Sequence, residues 1–261
     1  LIAEVKDDKL EVISRKLDHN ISIPVKEMKR LVNGNRILIR LNNECGDLQG
    51  NIVEIIGHKD DPDIDLKQIA LSKSFALNFS EKAINELENI PSTVTNEELK
   101  GRLDLRDKLI YTIDCNHTKD MDDAISIEIN ERGNFILGVH IADVSHYVKY
   151  RSALFEEAFA RGNSLYMLNS AIPMLPKYLS NGICSLNPNV DRLTKSCIME
   201  IDQNGNIIDY KIVKSVINSK KKMSYSKVNQ ILEKNIIPPD YIPFVENLKI
   251  AKQLSDILSR V

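Results

Sequence analysis

From Leu1 to about Gly57 apolar and polar positions alternate in short runs broken by turn residues, the period-two pattern of strands. Leu10–Ile13 reads as one strand, Arg36–Leu41 as another behind the Asn33-Gly34 turn, and Gly50–Ile56 as a third after Cys45-Gly46-Asp47. Roughly four or five such strands in so short a stretch predict a small β-barrel of the OB type, a scaffold that commonly binds oligonucleotides, although other small barrels share the pattern. Residues 58–101 then read as a connector. It opens with the acidic loop Asp60–Asp65 and continues with helical spacing from Ala70 to Leu87. With Asp61 as the first ligand of an EF-hand, Leu66 falls where glycine is needed and Ser72 where a bidentate glutamate is needed, so the loop is read as solvated.

Beyond Leu103 the pattern becomes mixed. Leu109–Asp114, Ala124–Ile129 and Phe135–Val144 read as strands, with a turn at Glu131–Asn134. A helix is expected next, capped by Ser152, buried along Leu154, Phe155, Ala158 and Phe159, and ended by Gly162. Cys197–Ile201 and Ile207–Val213 flank Asn204-Gly205 as a hairpin, and helices follow at Tyr225–Lys234 and Phe244–Val261. The expected architecture is multidomain: a small OB-like β-barrel over 1–57, a connector with a helix over 58–101, and a mixed α+β domain over 102–261.

Composition changes this picture little. A chain of 261 residues outgrows a single core, and 43% hydrophobic with 28% charged residues is ordinary for a soluble globular protein. No apolar run is long enough to span a bilayer, so no membrane role is expected. The formal net charge of -2 leaves any nucleic-acid site to a local patch, and a nuclease must concentrate carboxylates around its metal in any case. Cys45, Cys115, Cys184 and Cys197 form no C-x-x-C pair, which argues against zinc and against a secreted disulfide framework and for reduced cytoplasmic thiols. Leu1 stands where a start methionine would, no leader follows it, and Val261 falls in phase within a helix, so the chain is expected to be a fragment.

The chemistry concentrates between two predicted strands, where Asp114, Asp120, Asp122 and Asp123 form the pattern D-x5-D-x-D-D. Carboxylates gathered at a strand end repel one another and raise each other's pKa unless a multivalent cation screens them. Magnesium suits such a site because it takes oxygen ligands, keeps waters and shares its shell with substrate phosphates. Two such ions about 4 Å apart activate water and stabilise a leaving oxygen without a histidine base, so His117 need not act. The plain alternative is an exposed acidic turn, which spacing alone slightly favours. The tight flanking by Ile110, Ile113 and Ile125, and the motif-like text downstream, shift the balance toward a metal site. His140 and His146 lack a third zinc ligand, and His140 is read as a satisfied core residue, with Asp143 structural. Lys177 and the run Lys220–Lys222 are read mainly as solvated.

Arg102–Arg106, Thr112–Ala124, His140–Ser145, Arg161–Tyr166, Ile172–Pro176, Leu179–Pro188 and Asp191–Leu193 occur in an order that resembles the RNB catalytic domain of the ribonuclease II / ribonuclease R family, with Leu179–Pro188 closer to ribonuclease R. The segment before Arg102 resembles the cold-shock-type OB domain that precedes it, although the aromatic face typical of cold-shock RNA binding is missing. The resemblance implies a magnesium-dependent, processive 3′-to-5′ exoribonuclease that takes the 3′ end of single-stranded RNA, releases 5′ nucleoside monophosphates and works as a monomer without an organic cofactor. It implies that Asp114 and Asp123 contact magnesium, that Asp120 completes the acidic site, and that Asp122 matters most for catalysis. Tyr166 matches the tyrosine that stacks on a base near the scissile end. In the family the catalytic domain continues further, adding an arginine-bearing segment and an S1-type barrel. A non-cleaving RNA-binding or regulatory member of the same fold is the alternative, and a magnesium-dependent phosphatase a distant third.

Overall fold

A computed structural model describes residues 1–7, 9–13, 21–44, 47–167 and 171–260, so the expectations placed on Cys45 and Val261 lie outside the described residues. The chain divides into two compact units, one made of Leu1–Ser80 with Ala160–Met174 and the other of Glu81–Phe159 with Leu175–Val261.

In the first unit β1 (Ile2–Lys6), β2 (Lys9–Val12), β3 (Asn35–Glu44) and β4 (Asp47–His58) form an antiparallel sheet in the order β2-β1-β3-β4, with α1 (Val25–Met28) between β2 and β3. β1 escaped the reading of alternation because its first four residues are all buried, which erases the period-two signal. Gly34 turns the chain into β3 with φ +87°, and a Cβ there would stand 2.4 Å from His58 Nε2, so the turn requires glycine. Ala3, Ile21, Ile37 and Ile39 form one core cluster, and Ile2, Ile56 and Ile64 a second against α2 (Ile64–Ser72).

The continuous helix expected over Ala70–Leu87 is two pieces. α2 stops at Ser72, Ser74 takes φ +62°, and α3 (Glu81–Glu86) begins afresh. The intervening carbonyls find another donor: the Arg161 guanidinium donates to Ala76 O at 2.9 Å and Asn78 O at 2.6 Å, and lies 3.9 Å over the Phe79 ring.

The second unit opens with α3 and carries β5 (Leu103–Asp104), β6 (Tyr111–Asp114), β7 (Asp123–Ile129), β8 (Phe135–Ala142), α4 (Val144–Tyr147) and most of α5 (Ala153–Arg161). The chain then supplies the hairpin β9 (Leu165–Tyr166) and β10 (Ala171–Ile172) to the first unit. It completes the second with β11 (Asp191–Ile201), β12 (Ile207–Asn218), β13 (Lys221–Ser224), α6 (Tyr225–Lys234) and α7 (Val245–Leu258). The sheet runs β13-β6-β7-β8-β11-β12-β5, parallel at its two outer pairs and antiparallel elsewhere.

The β11–β12 hairpin is longer than its apolar text suggested. Thr194, Ser196 and Ser215 are buried inside it and bond to one another, with Ser215 Oγ 2.7 Å from Thr194 Oγ1 and 2.6 Å from Ser196 Oγ, so polar residues continue a buried strand pair. β13, with only Met223 apolar, owes its extension to pairing with β6. α5 starts where expected, with Ser152 Oγ accepting from Phe155 N at 3.1 Å. Phe159, expected in the buried stripe, is 77% exposed and stacks on Phe155, because the helix turns only its Leu154 side inward. The last helix begins at Val245, since Phe244 closes a 3-10 turn over Pro239–Phe244. Tyr111, Met223, Val228, Ile231, Tyr241 and Leu248 are among the residues of the core beneath α6 and α7, while Leu105, Ile110, Met121, Ala124, Leu186 and Ile217 pack in a separate cluster. Among the described residues no helix is long and apolar enough to cross a membrane.

Candidate metal centre

β6 and β7 are antiparallel neighbours, with Tyr111 opposite Ile125. Asp114 is the last residue of β6 and Asp123 the first of β7, so the connecting loop 115–122 closes at one end of the pair and holds both carboxylates there. Met121 anchors this loop. Its side chain is buried in the core, and its backbone is fixed on both sides: Met121 N donates to Ser185 Oγ at 3.1 Å, and Met121 O accepts from Leu186 N at 2.8 Å. Asp122 O accepts from Ala142 N at 3.0 Å, which ties the loop to the end of β8.

The four aspartates come within electrostatic reach of one another. Burial, and then the carboxylates of Asp123 and Asp120, raise the pKa of Asp114, against the Thr112 hydroxyl and the Lys222 ammonium, which lower it. Burial, followed by Asp120, Asp123 and Asp114, raises that of Asp122. Asp122 is exposed, although neighbouring protein still costs its charge some hydration.

Among the described residues the Oδ2 atom of Asp114 and the Thr112 hydroxyl beside it are buried and form no hydrogen bond of good geometry, so the hydroxyl favours the charged carboxylate by proximity rather than by a well-formed bond. A buried carboxylate oxygen without a well-formed bond, within a set of like charges, fits a hard divalent cation. The fit is that of an open shell: among the described residues no three histidine, cysteine, aspartate or glutamate side chains converge as a ready metal cage. Magnesium, which takes one or two protein carboxylates and fills the remaining positions with water and phosphate oxygens, suits such a partial set.

The lysine run, expected to be mainly solvated, has protein partners at all three side chains. Lys220 Nζ donates to Arg106 O at 2.6 Å, Lys221 Nζ to Asp240 Oδ2 at 2.7 Å, and Lys222 Nζ to Asn116 O at 3.4 Å and to Thr118 O. Ser185, a residue of the Leu179–Pro188 motif with no role expected of it, is a further anchor of the loop. Its hydroxyl donates to Lys119 O at 2.8 Å besides accepting from Met121, and Ser185 O accepts from the buried Arg192 Nε at 2.8 Å. Its place inside Leu179–Pro188 was the available signal.

His140 is buried, with Nδ1 2.7 Å from Ser196 Oγ and Nε2 3.1 Å from Ser126 Oγ, and burial pushes its pKa down to about 4. It is the satisfied core residue expected. Asp143 accepts from Arg102 Nη2 at 2.7 Å in a buried ion pair. Arg102 also donates to the carbonyls of Thr194 and Ser215, and His146 Nε2 lies 2.9 Å from Glu98 Oε1. Tyr166 belongs to the first unit, where it pairs with Ala171 in the β9–β10 hairpin and is 68% exposed.

A family model described as RNB domain matches residues 102–261, and one described as Cold shock domain matches residues 10–80. A ribonuclease R of Thermotoga maritima is 49% identical over 212 residues, which cover 80% of this chain and 30% of the relative. The solved structure of Mycoplasma genitalium RNase R in complex with double-stranded RNA superposes with a TM-score of 0.89 at 27% identity, covering 99% of this chain and 47% of that one. The same protein in complex with ribose methylated single-stranded RNA gives 0.86 at 28% identity, covering 99% of this chain and 42% of that one. The chain thus spans about a third or less of the length of the curated relatives it matches. Cold-shock and RNB-type parts follow one another here as in those structures, and with more than half of its residues matched by the RNB model the chain belongs to the RNB domain family.

Proposed function

We propose that the chain carries the acidic site of a processive 3′-to-5′ exoribonuclease that hydrolyses single-stranded RNA to 5′ nucleoside monophosphates with magnesium, as a cytoplasmic monomer. The observation that carries this reading is that Asp114, Asp120, Asp122 and Asp123 stand within electrostatic reach of one another, with Asp114 Oδ2 buried and without a well-formed hydrogen bond. The RNA complexes of the Mycoplasma genitalium relative support RNA as the substrate class.

In this reading Asp114 and Asp123 would hold magnesium and Asp120 would complete the set. Bound there, magnesium would lower the pKa of an attacking water and offset charge on the phosphodiester. Asp122 orients the water or the scissile phosphate, and the exposed ring of Tyr166 stacks on a base of any identity. Net charge sets no barrier, because the carboxylates account for part of the acidic excess.

A 3′-tailed RNA incubated with the protein in magnesium and then in EDTA tests the proposal on a gel. Stepwise shortening from the 3′ end in magnesium alone is expected, and Asp122→Asn in the intact protein should bind the RNA while cleavage nearly ceases. Unchanged turnover by that variant would remove Asp122 from the mechanism. The open ligand set favours a second reading, a non-cleaving RNA binder, under which the RNA stays intact in both conditions.

A further inference from the structure

We infer that Lys222 is a positioning residue of the acidic site, holding the loop between Asp114 and Asp120 so that the aspartates stay within electrostatic reach of one another. The inference rests on the metal-site reading above and adds a residue to it.

The register of β13 puts Lys222 there. β13 runs parallel to β6 with Lys222 opposite Thr112 and Ser224 opposite Asp114. Alternation sends Tyr111, Ile113 and Met223 toward the core beneath α6 and α7, so Thr112, Asp114 and Lys222 share the other face. From that face the half-buried Lys222 reaches past the end of β6, and its Nζ donates to the carbonyls of Asn116 and Thr118. Two carbonyls two residues apart, gathered by one ammonium, fix the first half of the loop. Ser185 fixes the second half through Lys119 O and Met121 N. The loop residues carry few backbone bonds of their own, Thr118 N to Cys115 O at 3.2 Å being the one across its first turn. Without the ammonium, Asn116 O and Thr118 O would turn to solvent and the quartet would lose its geometry.

A lysine beside a metal site also has an opposite effect, since its charge competes with a divalent cation. The two roles predict opposite signs. If Lys222 acts by holding the loop, Lys222→Met weakens metal binding; if it acts only as a competing charge, the same variant tightens it.

Manganese(II) binding, read by electron paramagnetic resonance, and hydrogen–deuterium exchange of peptides spanning residues 115–122 test this on the 261-residue chain. Lys222→Met is expected to lower manganese affinity by about tenfold or more, in the range typical for lost outer-shell partners. The exchange rate of the protected loop amides, Thr118 N and Met121 N, should rise about tenfold while peptides from α7 keep their protection. Lys222→Arg, which keeps charge and donors, should restore both. Unchanged loop exchange in a folded Lys222→Met protein, or tighter manganese binding, overturns the inference. Should the methionine variant fail to fold, the arginine variant decides alone: a protected loop supports the role, and an unprotected loop in a folded protein overturns it. Manganese binding that survives Asp114→Asn unchanged would instead sink the metal reading, while the exchange measurement, which needs no metal, still decides Lys222.

Discussion

His140 shows how a titratable side chain can be structural and still leave a measurable trace. Its folded pKa of about 4 lies below the usual 6.5 because burial removes water from the imidazolium. Between those values the unfolded chain takes up a proton that the folded chain refuses. Stability from this group is therefore complete above about pH 6.5 and falls as pH drops toward 4, by up to about 1.4 kcal/mol per pH unit. Urea unfolding at pH 7, 6 and 5 should show that slope in the wild type and a shallower one in His140→Gln; parallel slopes would refute it. At this scale the aspartate quartet was legible in the text, because its members sit close together between apolar strand residues. Lys222 was not. It lies 104 residues from Thr118 in sequence, and only the parallel pairing of β13 with β6 brings it to the loop.

Among elements, the strand starting at Leu103 and the turn after β8 are joined by charge within the interior. Arg102 and Asp143 are 4% and 1% exposed at their side chains, and the guanidinium also serves the carbonyls of Thr194 and Ser215 on β11 and β12. Removing one member of a buried pair strands the other charge, so Arg102→Met should cost about 3–5 kcal/mol. The double variant Arg102→Met/Asp143→Leu should recover part of that loss. Calorimetry on both decides: a single variant as stable as the wild type would mean the pair is solvated. Elements with clean alternation or caps, such as β7, β8, α5 and α6, were readable from sequence. Those that escaped have identifiable reasons. β1 is buried on both faces, β13 is mostly polar, and the break between α2 and α3 is fixed by Arg161, far along the chain.

For the whole molecule, 37 acidic side chains against 35 basic ones leave no general attraction to a polyanion. The carboxylate quartet opposes a phosphate outright unless a cation stands between them. Affinity for a 3′-tailed oligonucleotide should consequently fall when EDTA replaces magnesium at matched ionic strength, as read by fluorescence anisotropy with the Asp122→Asn chain, in which cleavage is expected to cease. Equal affinity in the two buffers would place RNA binding elsewhere on the surface.

The order in which the chain visits its two units bears on its synthesis. Leu1–Ser80 is left before the first unit is complete, and that unit waits for Ala160–Met174. A ribosome moving from the amino end must therefore release β6 to β8, with the acidic loop already made, before the first unit has received its last hairpin. No single cut in the gene can deliver both units whole. A truncated messenger ending near Ser80 would yield a sheet that lacks Arg161, the side chain that fixes the segment following α2.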